Sequence, residues 1–433
     1  MYSLNKEINV LVFPCGAENS IEIHHALKDV VNIKLFGASG KDDHGCFVYE
    51  NYIGAVPYIS SQKFISVLNE IIYEFNIDII FPTHDDVVVK LAEEQDNIHA
   101  IIAISGLKQA LISRSKKKTY DFFKEYDFCP KVFHSIPSPD QFPIFAKPDE
   151  GQGGKGALVV KTRNSNFLSN DLLNEYVLCE FLPGEELTID CFTDRNNDLK
   201  FVGPRSRDRI FGGISVRSST IPLTHELNEI AKAISHKMGM NGLWYFQVKK
   251  DVNNQFKLLE VSIRTAGTMN LYRGLGVNFP LLTVYNALGF DIKIHCNDYE
   301  LIVDRALQNK YIAKIEFDTI YIDFDDTITR NGYVNPEVIM FLYNAKLHKK
   351  QILLITKHQG DINQTLDKLA IHCGLFDEII HLKMNEEKYK HIKYKENCVF
   401  IDNSYKERDA VKKNLDIPTF DVDAISTLIN WRN

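Results

Sequence analysis

"IFAKPDEGQGGKGALVVK" (Ile144–Lys161) decides how the first three hundred residues are read. A short apolar strand ends at Lys147, a glycine-rich loop follows, and a second strand, ALVVK, leaves the loop. Gly151, Gly153 and Gly156 formally satisfy G-x-G-x-x-G. A dinucleotide-binding turn opens a helix, however, and this loop opens a strand. It also lacks the G-K-[ST] ending of a P-loop. A strand–glycine loop–strand unit is a flap that covers nucleotide phosphates from above, as in protein kinases. No H-R-D or D-F-G accompanies it, and the lysine precedes the loop, which argues against a kinase fold.

The chain has 433 residues, more than one ordinary core, so two to four domains are expected. Apolar residues make up 45% and charged residues 25%, an ordinary balance for a globular protein. The net charge of −7 disfavours a nucleic-acid platform, which needs a basic face. The eight cysteines form no C-x-x-C pair and follow no N-terminal signal, so they read as reduced thiols of a cytoplasmic protein. No apolar run approaches the roughly 18 residues of a membrane span.

On the N-terminal side of the flap, INVLVF (8–13), NIKLFG (32–37) and IDIIFP (77–82) alternate with helical stretches, the pattern of a parallel α/β sheet over residues 1–105. Around and beyond the flap, at 143–147, 157–161, 176–180, 186–192 and 199–202, strands follow one another without a helix between each, which predicts antiparallel sheet. Strands at 245–250 and 256–261 flank Asn253-Asn254, a hairpin signal. Helices are expected at 115–126, 225–239 and 272–288. Residues 306–316 read as a charged linker, and from Thr319 the α/β alternation restarts through to 433.

In chain order these features resemble the ATP-grasp superfamily, and within it the carbamoyl-phosphate-synthase-like carboxylate ligases. The resemblance covers residues 1 to about 305: a pre-ATP-grasp α/β unit (1–105), then an ATP-binding domain of two α+β subdomains (106–305). It implies that Lys147 and Lys116 (in SRSKKKTYDFF) reach the α-phosphate, with Lys117 and Lys118 alternative registers. It implies that Gly153 and Gly154 cover the phosphates. Glu180, Phe181 and Leu182 (CEFLPGEELTID) would meet the adenine edge, and Glu186 the ribose. Mg²⁺, or Mn²⁺, wants hard oxygens shared with phosphates; the resemblance implies Gln247, Glu260 and Ser262 as ligands, on the two arms of the predicted hairpin. Arg264 matches the arginine that stabilises the transferring γ-phosphoryl. The family pattern there is E-x-N-P-R; this chain has Glu260-Val261-Ser262-Ile263-Arg264, and Ser262 offers a poorer second-metal ligand than Asn. Arg205 and Arg207, in a glycine-containing loop (GPRSRDRIFGGISVRS), are assigned to the substrate carboxylate or acyl phosphate, since guanidinium forks suit such anions. Each residue alone has an ordinary explanation as a solvated strand end or surface charge. Chain order and spacing together carry the resemblance. His84-Asp85-Asp86 follows a strand, where it would line the cleft or cap a helix.

"YIDFDDTITR" (Tyr321–Arg330) opens the C-terminal unit. An aspartate at a strand's carboxyl end can attack phosphorus, and a second carboxylate two residues on can protonate the leaving oxygen and then activate water. Asp323 and Asp325 stand in that relation, and the pattern resembles motif one of the haloacid-dehalogenase (HAD) phosphohydrolases. The resemblance implies Thr356 as the phosphate-binding hydroxyl, Lys388 as the motif-three lysine (Lys383 second), and Asp402 with Asp323 and Asp325 at the Mg²⁺ site. Asn403 stands where the family often has a second acid, and Asp409 lies seven positions past Asp402. Thr327 and Thr356 are separated by 28 residues, and Thr356 and Lys388 by 31, which leaves no room for a cap domain.

The expected protein is thus an α/β and α+β multidomain enzyme: an ATP-grasp fold followed by a Rossmann-like HAD domain (317–433) without a large cap. The expected activity is an ATP-dependent carboxylate–amine ligase working through an acyl phosphate, joined to a Mg²⁺-dependent phosphatase. Its partners would be a small carboxylate, an amine and a phosphorylated small molecule or conjugate, with no nucleic acid and no membrane, in a cytoplasmic homodimer. The alternative is a ligase carrying a non-catalytic, regulatory HAD-like module.

Overall fold

A computed structural model describes residues 6–151, 153–163 and 172–430. Gln152, in the flap, lies outside the described residues. The chain divides into two compact units, Met1–Leu307 and Gln308–Asn433.

The first unit opens with β1 (Ile8–Phe13), β2 (Ile33–Ala38), β3 (Asn51–Ile53), β4 (Ile79–Pro82) and β5 (Ile101–Ile102). They form a parallel sheet in the order β3-β2-β1-β4-β5. β1 shows why its sequence is apolar apart from Asn9. Val10 and Val12 enter one core and Leu11 and Phe13 the other, because both faces of the sheet are covered. β4 runs into the helix Asp85–Glu93, which His84 caps by accepting a hydrogen bond from the Asp86 amide at 3.3 Å.

β6 (Val132–Phe133), β7 (Ile144–Pro148), β8 (Leu158–Val160) and β9 (Tyr176–Glu180) form an antiparallel sheet, β6-β9-β7-β8. The β7–β8 hairpin carries the glycine flap, in which Gly153, Gly154 and Gly156 take the left-handed backbone.

Then come β10 (Glu186–Thr193), β11 (Leu199–Ser206), β12 (Arg209–Phe211), β13 (Ile214–Ser219), β14 (Gly242–Lys250), β15 (Phe256–Ser262) and β16 (Ile302–Asp304). β11-β10-β14-β15 make one sheet and β12-β13-β16 another. In the four-stranded sheet the alternation of side chains separates core from site. Leu187, Ile189 and Cys191 lie opposite Val248, Phe246 and Trp244, with Leu258 and Val261 beyond, and all are buried in one cluster. Each large apolar side chain buried there contributes about 1.5–3 kcal/mol before chain entropy is counted. The other face is polar. Arg205, Thr188, Gln247 and Glu260 form one row across the four strands, and Asp190, Tyr245 and Ser262 form the next.

Two expectations change here. The arginine-rich stretch read as a loop is the end of β11 plus the β12–β13 hairpin, which turns at Gly212-Gly213. The helix expected over 272–288 is two, Asn270–Gly274 and Phe279–Ala287, because Gly276 takes a positive φ of 96° between them.

The second unit contains β17 (Thr319–Ile322), β18 (Thr329–Arg330), β19 (Tyr333–Val334), β20 (Gln351–Thr356), β21 (Glu378–His381), β22 (Cys398–Ile401) and β23 (Thr419–Phe420). Its main sheet is parallel, ordered β21-β20-β17-β22-β23. β17 is central, flanked by β20 and β22, so residues at or just past the ends of these three strands (Asp323, Thr356 and Asp402) fall on one edge of the sheet. A short hairpin, β18–β19, follows the acidic turn, which sequence periodicity had not revealed.

Candidate active sites

In the first unit the flap, the hinge after β9 and the polar sheet face enclose a cavity of about 340 Å³. Lys116, Lys147, Gly153, Gly154, Glu180, Phe181, Leu182, Glu186, Arg207, Gln247 and Glu260, all expected site residues, line it. A smaller recess shares Lys116, Gly153 and Glu260 with it and adds Ser262, Arg264, Arg114 and Asp85.

Lys147 is buried, and its ammonium donates to the Tyr120 hydroxyl at 2.5 Å and the Leu259 carbonyl at 3.1 Å. That carbonyl is free because the β14–β15 pairing slips past Gln247, leaving Leu259 without a cross-strand partner. Tyr120 also donates to it, at 2.9 Å. Burial pulls the Lys147 ammonium below its usual range. Lys116 caps the flap from below, donating to the carbonyls of Asp149 (3.1 Å) and Gly151 (3.3 Å). Burial lowers it too, with Lys147 adding repulsion against the opposing pull of Glu260. Lys116 faces the cavity, whereas Lys117 Nζ donates to the Asn174 carbonyl. Two lysines whose ammonium groups burial disfavours face one cavity, so an anion placed there would stabilise both.

Glu186 pairs with Arg207 at 2.8 Å and Lys249 at 3.4 Å. Arg205 is a correction. Only 2% exposed, its Nε lies 2.7 Å and its Nη2 3.2 Å from the Asp190 carboxylate, in neither cavity, so it is a buried ion pair of the sheet rather than an open carboxylate fork. Lone guanidinium charges are not buried without such a partner.

Among the described residues no three His, Cys, Asp or Glu side chains form a metal cage by themselves. A cation that shares phosphate oxygens needs fewer protein ligands. Gln247 and Glu260 face each other across β14 and β15, and the buried Ser262 hydroxyl, beside Tyr245, has no well-aligned hydrogen-bond partner among the described residues. This hard-oxygen set fits Mg²⁺. Arg264 lies over the Tyr245 ring, 6.0 Å from its centroid, and is held from outside the sheet by Asp85. Sequence reasoning had singled out the His84-Asp85-Asp86 cluster without finding that partner. Tyr120 it had missed, although it lies one helical turn beyond Lys116.

In the second unit Lys388 joins two carboxylates. Its Nζ lies 2.5 Å from Asp323 and 2.7 Å from Asp402, and all three are buried. Burial, reinforced by repulsion from Asp402 and opposed by Lys388, pushes the Asp323 carboxyl up to about 6. Burial alone would lower Lys388; the two carboxylates outweigh it and hold the ammonium above its usual range. Thr327 Oγ lies 3.4 Å from Asp323 and also receives the Asn403 amide at 3.0 Å. Asn403 is therefore tied to the turn after β17. Asp409 is outside this cluster, paired with Lys413 at 2.7 Å on the surface of its helix.

Asp325 is turned elsewhere. The Asp326 backbone is left-handed, and the Asp325 carboxylate, half exposed, meets His358 Nδ1 at 2.9 Å rather than Lys388. The Asp325 side chain, expected at the metal site, is thus engaged by His358. His358 Nε2 contacts Thr365 Oγ at 2.9 Å, and its amide donates to Thr356 Oγ. Glu407, five residues past Asp402 and mostly buried, pairs with Lys357 at 2.6 Å. His358 and Glu407 had been missed; two residues past Thr356 and five past Asp402, spacing alone gave them no weight.

Residues 173–307 match the family described as ATP-grasp in the biosynthetic pathway with Ter operon. Solved structures share the fold. The biotin carboxylase domain of Hydrogenobacter thermophilus 2-oxoglutarate carboxylase, crystallised as a dimer with MgADP, ADP and bicarbonate, is 13% identical, with a TM-score of 0.54 over 68% of this chain and 73% of that one. An L-amino acid ligase from Bacillus licheniformis is 17% identical, with a TM-score of 0.51 over 66% and 75%. N5-carboxyaminoimidazole synthetase from Staphylococcus aureus is 13% identical, with a TM-score of 0.53 over 67% and 79%. No curated protein matches by sequence. The first unit thus has an ATP-grasp fold within a mixed α/β protein. Among the described residues no helix is long and apolar enough to cross a membrane.

Proposed function

We propose that the first unit is an ATP- and Mg²⁺-dependent carboxylate–amine ligase acting on small molecules. The observation that carries this reading is the single cavity lined by Lys116, Lys147, the flap glycines, Gln247 and Glu260. The matching fold of an amino acid ligase and of a carboxylase domain holding MgADP supports it. When bound, Mg²⁺ supplies charge neutralisation for the transferring phosphoryl. The chain's residues do the rest by positioning. Lys147 and Lys116 hold the phosphates beneath the flap. Glu180, Phe181 and Leu182 bound the base, and Glu186 the ribose. Arg264 faces the charge that develops as a substrate carboxylate attacks the γ-phosphate and ADP leaves. An amine then displaces phosphate from the acyl phosphate, so no side-chain nucleophile is needed. Arg207, beside Glu186, remains the candidate for a substrate anion.

We assign the second unit as a capless HAD phosphatase on a phosphorylated compound of the same pathway. Asp323 attacks phosphorus as the ester oxygen leaves with a proton from Asp325; water, giving its proton to Asp325, then cleaves the aspartyl-phosphate and releases phosphate, while Thr356 and Lys388 hold the phosphoryl oxygens. Asp402 with Asp323 would hold Mg²⁺. The Asp323–Lys388–Asp402 cluster supports this reading.

The test is ADP release from the full chain over a panel of carboxylates with and without amines, run beside Mg²⁺-dependent hydrolysis of an aryl phosphate. ADP release that ignores every carboxylate would overturn the ligase. Absence of hydrolysis would make the second unit a regulatory module.

A further inference from the structure

The acidic pair Asp85-Asp86 opens the helix that follows β4 of the parallel sheet, yet the Asp85 side chain reaches the recess beside the ATP-grasp cavity. Asp85 Oδ1 lies 2.6 Å from Arg264 Nε, and Oδ2 lies 3.3 Å from Nη2. This is a side-on, two-point pair between residues 179 apart in sequence. Asp86 makes the analogous contact with Arg114, 2.6 Å from its Nε, on the other wall of the recess. Ion pairing with Arg264 overcomes the effect of burial and holds the Asp85 carboxyl below the usual carboxylate range.

The geometry has a directional consequence. A guanidinium has five N–H groups. Asp85 takes the Nε and one Nη2 hydrogen, and the Thr265 carbonyl takes one on Nη1 at 3.2 Å. Among the described residues the other two N–H groups, one on each terminal nitrogen, meet no acceptor, and Arg264 lines the recess. Tyr245 backs the guanidinium as a ring face. The arginine cannot swing on its long stem without breaking both Asp85 contacts. A side chain with that many rotatable bonds is otherwise a poorly aimed donor.

We propose that Asp85 is a positioning residue for Arg264: it fixes the guanidinium so that its two remaining donors face the transferring phosphoryl group. The proposal rests on the ligase reading. It does not require Asp85 to touch substrate or nucleotide. It gives the N-terminal sheet a part in the chemistry beyond scaffolding.

The experiment uses the full chain with a carboxylate that supports ADP release in the wild type; if none does, the ligase reading fails before this one is tested. Asp85→Asn keeps the shape and removes the charge. The expected result is a kcat about 10- to 100-fold lower, the scale of a misplaced catalytic group, with KM for ATP within about twofold. Asp85→Glu restores part of kcat. In the cycle with Arg264→Lys, the double variant loses no more than Arg264→Lys alone, because Asp85 acts only through the arginine. A kcat for Asp85→Asn within about twofold of wild type, or losses that multiply in the double variant, would overturn the proposal. Thermal unfolding of each variant identifies a folding defect, and if Asp85→Asn has one, the Asp85→Glu and Arg264→Lys pair carries the same comparison.

Discussion

The carbonyl oxygen of Gly153 lies 1.7 Å from where a Cβ on Gly213 would stand. Two glycine turns, one in the flap and one in the β12–β13 hairpin, thus meet backbone to backbone over the cavity. Gly213 also has φ of +78°, which disfavours any side chain. Gly213→Ala is expected to part the two turns and weaken nucleotide binding about 10-fold, a loss of roughly 1.4 kcal/mol. Calorimetric titration with an ATP analogue measures this. Unchanged affinity would mean the contact plays no part in closure.

Lys147→Met retains the buried stem and deletes the ammonium. Charge-assisted hydrogen bonds are worth about 1.5–3 kcal/mol, so nucleotide affinity should fall about 10- to 100-fold. A circular dichroism spectrum like that of the wild type would separate this loss from misfolding.

Asp323→Asn should reduce aryl-phosphate hydrolysis by about 10³-fold or more, as removal of a nucleophile does. ADP release should be unaffected. Loss of both activities together would argue against two independent sites.

Ser262→Asn introduces the amide of the E-x-N-P-R pattern beside Glu260. The metal concentration giving half-maximal ADP release should fall several-fold, and a titration with Mg²⁺ reads it directly.

Asp85→Asn also makes a statement about acid stability. The folded-state pKa of Asp85 is depressed, so its stabilisation is complete above the unfolded value of about 4 and fades as pH falls through the lower folded value. With the pair still about a fifth exposed, about 1–2 kcal/mol is expected at pH 7. The gap in melting temperature between wild type and variant should narrow as pH drops below about 4. A gap independent of pH would contradict a charge-based role.

The sequence disclosed what depends on local period. β1 reads as a buried strand because all its residues but Asn9 are apolar, and the β7–β8 flap because glycines separate two strands. The cavity lining follows from those elements, since alternate residues of β10, β14 and β15 share one face. What stayed hidden depends on pairing across distance. Arg205 looked like a surface fork because nothing local shows that Asp190 waits on the next strand. Asp85 looked like a helix cap because Arg264 is reached only through the fold. His358 gave no signal because its partner Asp325 lies on another strand's turn, 33 residues away.

The slip beside Leu259 carries a consequence for insertions and deletions. A strand alternates faces with every residue. Removing Leu259 would let β14 and β15 pair regularly, with Leu258 and Val261 still in the core and Glu260 and Ser262 still on the polar face. The anchor for Lys147 and Tyr120 would disappear in the same event. Leu259 is therefore a position at which the residue type can drift while the count cannot.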